Sequence, residues 1–558
     1  MKILAFLLCL WYNQSRKEES KVETSNAETV TISRAEYERL SAEQARLEEQ
    51  LHQAELAYAK LEEQLNHLLE QIRLAKHRQF GASSEKQCGD GLEQLSFLFN
   101  EAEVYADDET KKAADEGVLV SVHKRHKKHE YTLNQIPEGA RVEQVEHRLE
   151  GEALVCPECG DTMSEIGKEI VNKLKFKPAE IIVEQHIYYT YACRNCNQES
   201  IETPMKKAPR EKSLISGSFA TPEAVAYLMT QKFVMGSPLY RQEQELKRQG
   251  IPLSRQTMSN WILRASEEYL SPVYERLRSE LLKREVLHAD ETELQVLHEP
   301  GKAPQSKSYM WLYRTSGDTD QPIVLYEYQP GRGGIHPERF LEGFKGYLHT
   351  DGYAGYHNLP EGITVVGCWA HARRKFDEAM KSLPRGKAKG SSAAQGLAYC
   401  SLLFQIEEGL AELPPEDRYE QRLKQAKPVL DAMLAWANTR AAAPKSALGK
   451  AFTYLREQWP YLMNYLKDGR LELSNNRAER SIKPFVIDRK NFLFANTPSG
   501  ARGSAVMFSL IQTAIENKLD PYRYLTWLMH TAIDLDLARP DAVQQLLPWN
   551  APEECKSK

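Results

Sequence analysis

Three carboxylates and four thiols in this 558-residue chain have placements that chemistry can use. Asp290 sits in the middle of a β-rich run, residues 285–297 (EVLHADETELQVL). Asp351 ends a short apolar run, in Thr350-Asp351-Gly352, and Glu479 lies where a helix is expected to start. Carboxylates gathered from such elements bind hard divalent cations through oxygen. Two Mg2+ ions about 3.5–4 Å apart can activate the attacking oxygen and stabilise the leaving oxygen of an in-line phosphoryl displacement. On spacing alone the triplet is one of many that 78 acidic residues offer. The basic residues strengthen it. His371, Arg373, Arg374 and Lys375 form one run, and Arg477, Arg480, Lys483, Arg489 and Lys490 form another around Glu479. Positive charge beside carboxylates suits a phosphodiester backbone. Surface ion pairs are the bland alternative, but acids are scarce nearby in the sequence.

The four thiols are Cys156 and Cys159 in one CxxC knuckle and Cys193 and Cys196 in a second. Between them, residues 169–176 and 180–192 read as two strands. Thiolates at this spacing close a tetrahedral S4 zinc site with no open position, so its role is structural. His186 reads as a strand-face residue rather than a ligand. The other five cysteines, Cys9, Cys88, Cys368, Cys400 and Cys555, are scattered. That is no disulfide framework, and it points to a reducing compartment.

Other elements must hold these groups in place. Residues 33–80 contain no Pro or Gly and carry a heptad pattern. One seam is Leu40, Leu47, Ala54, Leu61, Leu68 and Ala75; the other is Tyr37, Gln44, Leu51, Tyr58, Leu65 and Ile72. A helix with such a stripe hides it against a partner helix, which predicts a coiled coil and self-association. Residues 81–150 read as a linker with a basic run at 123–129, able to add phosphate contacts without sequence information. Residues 215–270 read as three helices: one from Pro222 to 233, one over 239–249, and one over 255–269 capped by Ser254. Helix, Gly-containing turn, then a helix opening with Arg255, Gln256, Thr257 and Asn260 is a helix-turn-helix arrangement. Strands follow at 285–297, 309–315, 323–328, 346–349 and 364–368, and a helix starts near Ala370. Three antiparallel strands, a parallel strand and then a carboxylate-bearing helix is the order of an RNase H-like core, which gathers the three acids at one sheet edge. Residues 381–470 read as a basic stretch followed by helices, and Ser474-Asn475-Asn476 as the cap of the helix carrying Glu479.

The net charge of −5, from 73 basic and 78 acidic residues, neither requires nor excludes nucleic acid. With 41% hydrophobic residues, sizeable cores can form and wholesale disorder is excluded. No apolar run reaches the roughly 18 residues that would span a bilayer. Residues 1–12 resemble a short signal segment without a cleavage site, and are expected to be a frayed or misassigned start.

Several segments together carry a resemblance. They are the heptad helix followed by residues 78–86 (RQFGASSEK), the two knuckles, residues 287–292 (LHADET), 350–353 (TDGY), 368–375 (CWAHARRK), 474–480 (SNNRAER) and 489–494 (RKNFLF). In this order they resemble IS66-family DDE transposases over most of the chain. The resemblance implies that Asp290, Asp351 and Glu479 are a catalytic triad binding Mg2+ or Mn2+. It also implies a largely helical insertion before the Glu, in keeping with the 127 residues between Asp351 and Glu479 against 60 between Asp290 and Asp351.

The expected fold is a multidomain α/β chain. It comprises a start (1–32), a coiled coil (33–80), a linker (81–150), a zinc ribbon-like unit (151–200) and a helix-turn-helix (215–270). An RNase H-like catalytic core follows in two parts (285–380 and 471–536), split by a helical insertion (381–470), with a tail (537–558). The expected function is a DNA transposase of a bacterial insertion sequence, cytoplasmic and nucleoid-associated. It binds terminal inverted repeats and target DNA, associates with itself, and has small accessory proteins of the same element as further partners. Arg255, Gln256, Asn260 and the two basic runs are its expected DNA contacts. Two alternatives stay open: an RNase H-like nuclease or resolvase that cuts without joining, and a non-catalytic zinc-containing DNA-binding regulator.

Overall fold

A computed structural model describes residues 33–80, 181–192, 205–384 and 386–557. Cys156, Cys159, Cys193 and Cys196, the linker with its basic run, the expected strand at 169–176 and residues 1–32 lie outside them.

The heptad segment forms one helix, α1 (Arg34–Phe80), whose first turn is capped by the Ser33 hydroxyl accepting from the Glu36 N–H at 3.3 Å. Its leucines are unburied: Leu40, Leu47, Leu51, Leu61, Leu65 and Leu68 are 50% to 65% exposed. An isolated helix gains little from propensity alone, and most helical stability comes from packing an apolar face. α1 forms one compact unit, and the sheet and its helices belong to a second.

In the zinc region the only pairing among the described residues is β1 (Thr190–Ala192) with β2 (Met205–Lys207), antiparallel. The strand expected over 180–192 is therefore shorter: Tyr189 still accepts from the Ala208 N–H at 3.0 Å, but residues 181–188 have no ladder partner among the described residues. Next come α2 (Pro222–Phe233), α3 (Leu239–Arg248) and α4 (Arg255–Ala265). The caps are those expected, Thr221 accepting from Ala224 and Ser254 from Thr257. α4 does not stop near Tyr269. It passes through a π-turn (Ser266–Leu270) into α5 (Ser271–Leu281), with Ser271 N–H bonded to Ser266 O. Pro272 has no N–H to donate, so an ordinary i→i−4 ladder cannot run through this point.

The central sheet has five strands: β3 (Val286–Gln295), β4 (Lys307–Thr315), β5 (Val324–Gln329), β6 (Gly346–His349) and β7 (Ile363–Val366). Their order is β5-β4-β3-β6-β7, antiparallel from β5 to β3 and parallel from β3 to β7. In β4, Met310, Trp311, Leu312 and Tyr313 are all fully buried, the signature of a strand covered on both faces. A short helix, α6 (Ile335–Phe340), follows the glycine-rich turn and was not expected.

α7 (Trp369–Ser382) leads into three insertion helices, α8 (Ser392–Leu410), α9 (Pro415–Asn438) and α10 (Ala447–Leu462). They share a second core with Trp369, Ala372 and Phe376 of α7. Arg422 of α9, 1% exposed, anchors the returning chain. It pairs with both carboxylate oxygens of Glu407 and donates to the carbonyls of Tyr465, Asp468 and Leu471. The chain re-enters the main core through α11 (Asn476–Phe492) and α12 (Pro498–Glu516), followed by α13 (Pro521–Ala532). α12 lies on β5, where the Ser509 and Thr513 hydroxyls accept from the main-chain N–H groups of Tyr326 and Val324. Among the described residues no helix is long and apolar enough to cross a membrane.

Candidate active site

The site begins with strand register. β3 and β6 run parallel, with His288 opposite His349. Asp290 lies two residues beyond His288, and Asp351 two beyond His349. Parallel strands are about 4.8 Å apart, so equal steps carry both aspartates to the same end of neighbouring strands. The two imidazoles beneath them stack with centroids 4.4 Å apart. Both are fully buried, and desolvation holds both neutral, His288 at a pKa of about 3. Gly352, at φ +95, makes the turn just after Asp351, whose Oδ1 accepts from the Tyr353 N–H at 2.9 Å. A left-handed φ here favours glycine.

Glu479 comes from the first turn of α11. Asn475, expected to cap this helix with its side chain, does not. Its Oδ1 accepts from His288 Nδ1 at 2.9 Å and its Nδ2 donates to Ala289 O at 2.8 Å. Its main-chain N–H donates to Cys368 Sγ at 3.1 Å. This residue thus ties the helix of Glu479 to the strand of Asp290, and the tie outweighs a local cap. Glu479 faces α7: its Oε1 is 3.7 Å from His371 Nδ1 and its Oε2 is 3.5 Å from Arg374 Nη2.

The acids disfavour one another's charge. Asp290 is raised well above the ordinary aspartate range, first by desolvation and then by the charges of Asp351, Glu291 and Glu479. Glu479 Oε1 is buried without a hydrogen-bond partner. Glu291 is already engaged: Arg332 donates to its Oε1 at 2.8 Å and Tyr356 to its Oε2 at 2.7 Å. The chemistry of Asp290, Asp351 and Glu479, oxygen donors alone, is of the kind that hard divalent ions take, although Glu479 already has Arg374 at 3.5 Å. The described ligand atoms that lie within 4.8 Å of one another, however, are those of Cys368, His371 and Glu479.

The expected DNA contacts divide. On α4, Arg255, Gln256 and Asn260 are all exposed, with Arg255 paired to Glu243 at 2.9 Å and lying over the Tyr240 ring. Around the acids, Arg374 is exposed beside Glu479, Arg373 lies near the Phe404 ring and Lys375 near the Tyr454 ring. Arg480 and Lys490 are exposed on α11, and Lys483 is half-buried there. Two residues are committed inside the fold. Arg477 pairs with Glu472 at 2.7 Å, and Arg489 donates to Thr292 Oγ1 at 3.1 Å and to the Glu293 carbonyl. The reading of acids as scarce nearby overlooked Glu472, five residues before Arg477, and could not foresee that Arg489 would be taken up by a hydroxyl and a carbonyl of the distant β3.

Sequence reasoning missed His288, His349, Asn475 and Cys368. The first two carried a signal: His288 to His349 is the same step as Asp290 to Asp351. The Cys368-Trp-Ala-His371 spacing at a helix start was another.

Comparison with known proteins places the chain in a family. The family profile described as "Transposase IS66 family" matches residues 217–503, which span the helices α2 to α4, the sheet, the insertion and α11. A profile for the zinc-finger binding domain of transposase IS66 matches residues 154–197, which contain all four knuckle cysteines. A third, "Transposase C of IS166 homeodomain", matches residues 67–143. Uncharacterized proteins of Sinorhizobium fredii (strain NBRC 101917 / NGR234) are similar over long stretches. Protein y4hP is 30% identical over 71% of this chain and 73% of its own length, and y4qI is 29% identical over 88% and 89%. The chain belongs to the IS66 transposase family.

Proposed function

We propose that the chain is the DNA strand-transfer enzyme of a bacterial insertion sequence, with Asp290, Asp351 and Glu479 as its catalytic acids. The observation that carries this reading is the parallel pairing of His288 with His349, each two residues before one of the aspartates, with Asp351 and Glu479 among the charges that raise Asp290. The strand order, three antiparallel and two parallel with a carboxylate-bearing helix, supports an RNase H-like core. Mg2+ or Mn2+ held by the three acids would supply Lewis-acid activation of the attacking oxygen and neutralise charge on the leaving oxygen. The chain's own groups do the rest. Arg374, 3.5 Å from Glu479, and Arg480, the next residue along α11, would hold a phosphate backbone against the acids, and Lys490 would extend that contact toward the far end of the helix. The exposed polar residues of α4 face DNA in the manner of a recognition helix. The four knuckle cysteines hold a structural Zn2+. The stripe of α1 pairs with a second copy, which brings two element ends together. Water attacks first to expose a 3′-OH at the element's end, and that 3′-OH then attacks a target phosphodiester. The enzyme acts in the cytoplasm, on nucleoid DNA, with accessory proteins of its element as partners.

The test is a strand-transfer assay with the full chain, Mg2+, a labelled duplex ending in the element's inverted repeat, and a supercoiled plasmid. Label joins the plasmid with the native protein and not with Glu479→Gln, while DNA binding persists. Undiminished joining by Glu479→Gln would refute the triad. Cutting without joining would identify a nuclease.

A further inference from the structure

Cys368 is no part of the acid triad, yet its sulfur lies against it. Cys368 Sγ, a ring nitrogen of His371 and a carboxylate oxygen of Glu479 are all within 4.8 Å of one another. Two polar atoms here, His371 Nδ1 and Glu479 Oε1, are buried and have no hydrogen-bond partner. They face each other at 3.7 Å, too far to bond directly. Arg374 lies 3.4 Å from the other ring nitrogen, Nε2, and can only donate to it, so Nδ1 holds the ring proton in this arrangement and an ion bound between Nδ1 and Oε1 would take that proton's place. The Asn475 main-chain N–H donates to Cys368 Sγ at 3.1 Å and fixes its position at the start of α7. Hydrogen bonds to the outer side of a ligand atom are what metal sites use to orient it. Sulfur, imidazole nitrogen and one carboxylate oxygen together are a donor set for borderline ions, whereas Mg2+ takes oxygen alone.

We propose that Cys368, His371 and Glu479 form a binding site for a borderline divalent ion of the Zn2+ class, distinct from the four-cysteine unit. On binding, the thiol proton leaves to solvent, the imidazole proton moves from Nδ1 to Nε2 as the Arg374 contact there is released, and sulfur–metal and nitrogen–metal bonds form, with nothing oxidised or reduced. The inference rests on the function proposed above only for the role of Glu479, which this site shares with the Asp290–Asp351 pair. An ion held here draws the carboxylate toward α7, so zinc and magnesium compete for Glu479 and zinc suppresses strand transfer. The bland alternative is that Cys368 merely accepts amide hydrogen bonds at the start of α7, a role serine fills as well.

The experiment is a metal count on the full chain. Native protein and the variants Cys368→Ser, His371→Gln and Glu479→Gln are saturated with Zn2+, dialysed, and measured for zinc per chain by mass spectrometry. Each substitution is expected to remove about one ion of a native total near two, the other being the knuckle zinc. Cys368→Ser keeps an acceptor for the Asn475 amide, and His371→Gln checks the result independently if that variant folds poorly. Equal zinc in native protein and Cys368→Ser overturns the proposal. So does a loss confined to Cys368→Ser, because a lone thiol would then be the binder. A Glu479→Gln protein that loses strand transfer but no zinc overturns this site and leaves the transposase reading standing. One that loses zinc but keeps strand transfer does the reverse.

Discussion

Replacing Asn475 by alanine tests whether one buried amide holds the active site together. Asn475 is fully buried. It accepts from His288 Nδ1 at 2.9 Å and donates to Ala289 O at 2.8 Å. His288 is neutral, so a proton on Nδ1 that donates to Asn475 leaves its Nε2 bare, and that atom is buried without a hydrogen-bond partner. Alanine would strand the Nδ1 donor and the Ala289 carbonyl as well. Each buried group left unpaired costs about 1–3 kcal/mol, giving about 2–5 kcal/mol in all. At about 2.1 cal/mol/K of unfolding entropy per residue, a unit of this size loses about 3–7 °C of melting temperature. The Asn475 main-chain N–H to Cys368 survives, so the start of α11 is loosened rather than lost. Glu479 lies one turn along, and a misplacement of about 1 Å can cost about 100-fold in rate. Strand transfer measured well below the melting temperature should therefore fall at least about tenfold. Melting within about a degree of the native protein would refute the energetic argument. A clear loss of stability with undiminished strand transfer would refute the link between Asn475 and Glu479.

Three further outcomes are expected. Asp290→Asn removes a carboxylate that burial and the charges of Asp351, Glu291 and Glu479 all disfavour. In chelator it should melt higher than the native protein, by about 1–2 kcal/mol of stability, while strand transfer disappears. Asp488 of α11 is raised to about 6, chiefly by burial, against a charge on Lys232 that pulls it down. A carboxylate with a raised folded pKa destabilises only once it ionises. Melting scans should therefore show Asp488→Asn gaining over the native protein as pH rises from about 4 through about 6, then holding constant; a gap that narrows instead would contradict the assignment. Leu47 and Leu51 of α1 are 59% and 62% exposed. Changing both to aspartate should lower the mass found by analytical ultracentrifugation to that of one chain, and an unchanged mass would place self-association elsewhere.

Much of the architecture was legible because its signals are local. The five strands were expected close to where they lie, since each is a short apolar run bounded by turn residues. The three helices from Pro222 onward matched because Thr221, Ser254 and the Gly250 turn are local punctuation. Most of what escaped depended on distant partners, with Arg477 the exception, since Glu472 is five residues before it. A cap was expected from Asn475 on sequence grounds, but β3 offers its amide two better partners. Arg477 read as a phosphate ligand until Glu472 came within 2.7 Å. Cys368 read as scattered, because nothing local reveals that Asn475 and Glu479, more than a hundred residues on, arrive beside it.

The covering of β5 by α12 has a consequence for how copies of this protein can meet. A sheet edge with free amides is a template that another strand can extend. On the β5 side, the Thr513 and Ser509 hydroxyls already occupy the amides of Val324 and Tyr326. On the β7 side, the Asn464 side chain occupies the carbonyl of Val365, and the Tyr461 carbonyl takes the N–H of Gly367 just beyond the strand. With those positions filled from within, lengthening the sheet across two chains would first require α12 or the end of α10 to peel away. Molecules that crowd onto the same stretch of DNA are thus guarded against joining strand to strand, and the geometry of any assembly is left to its helices.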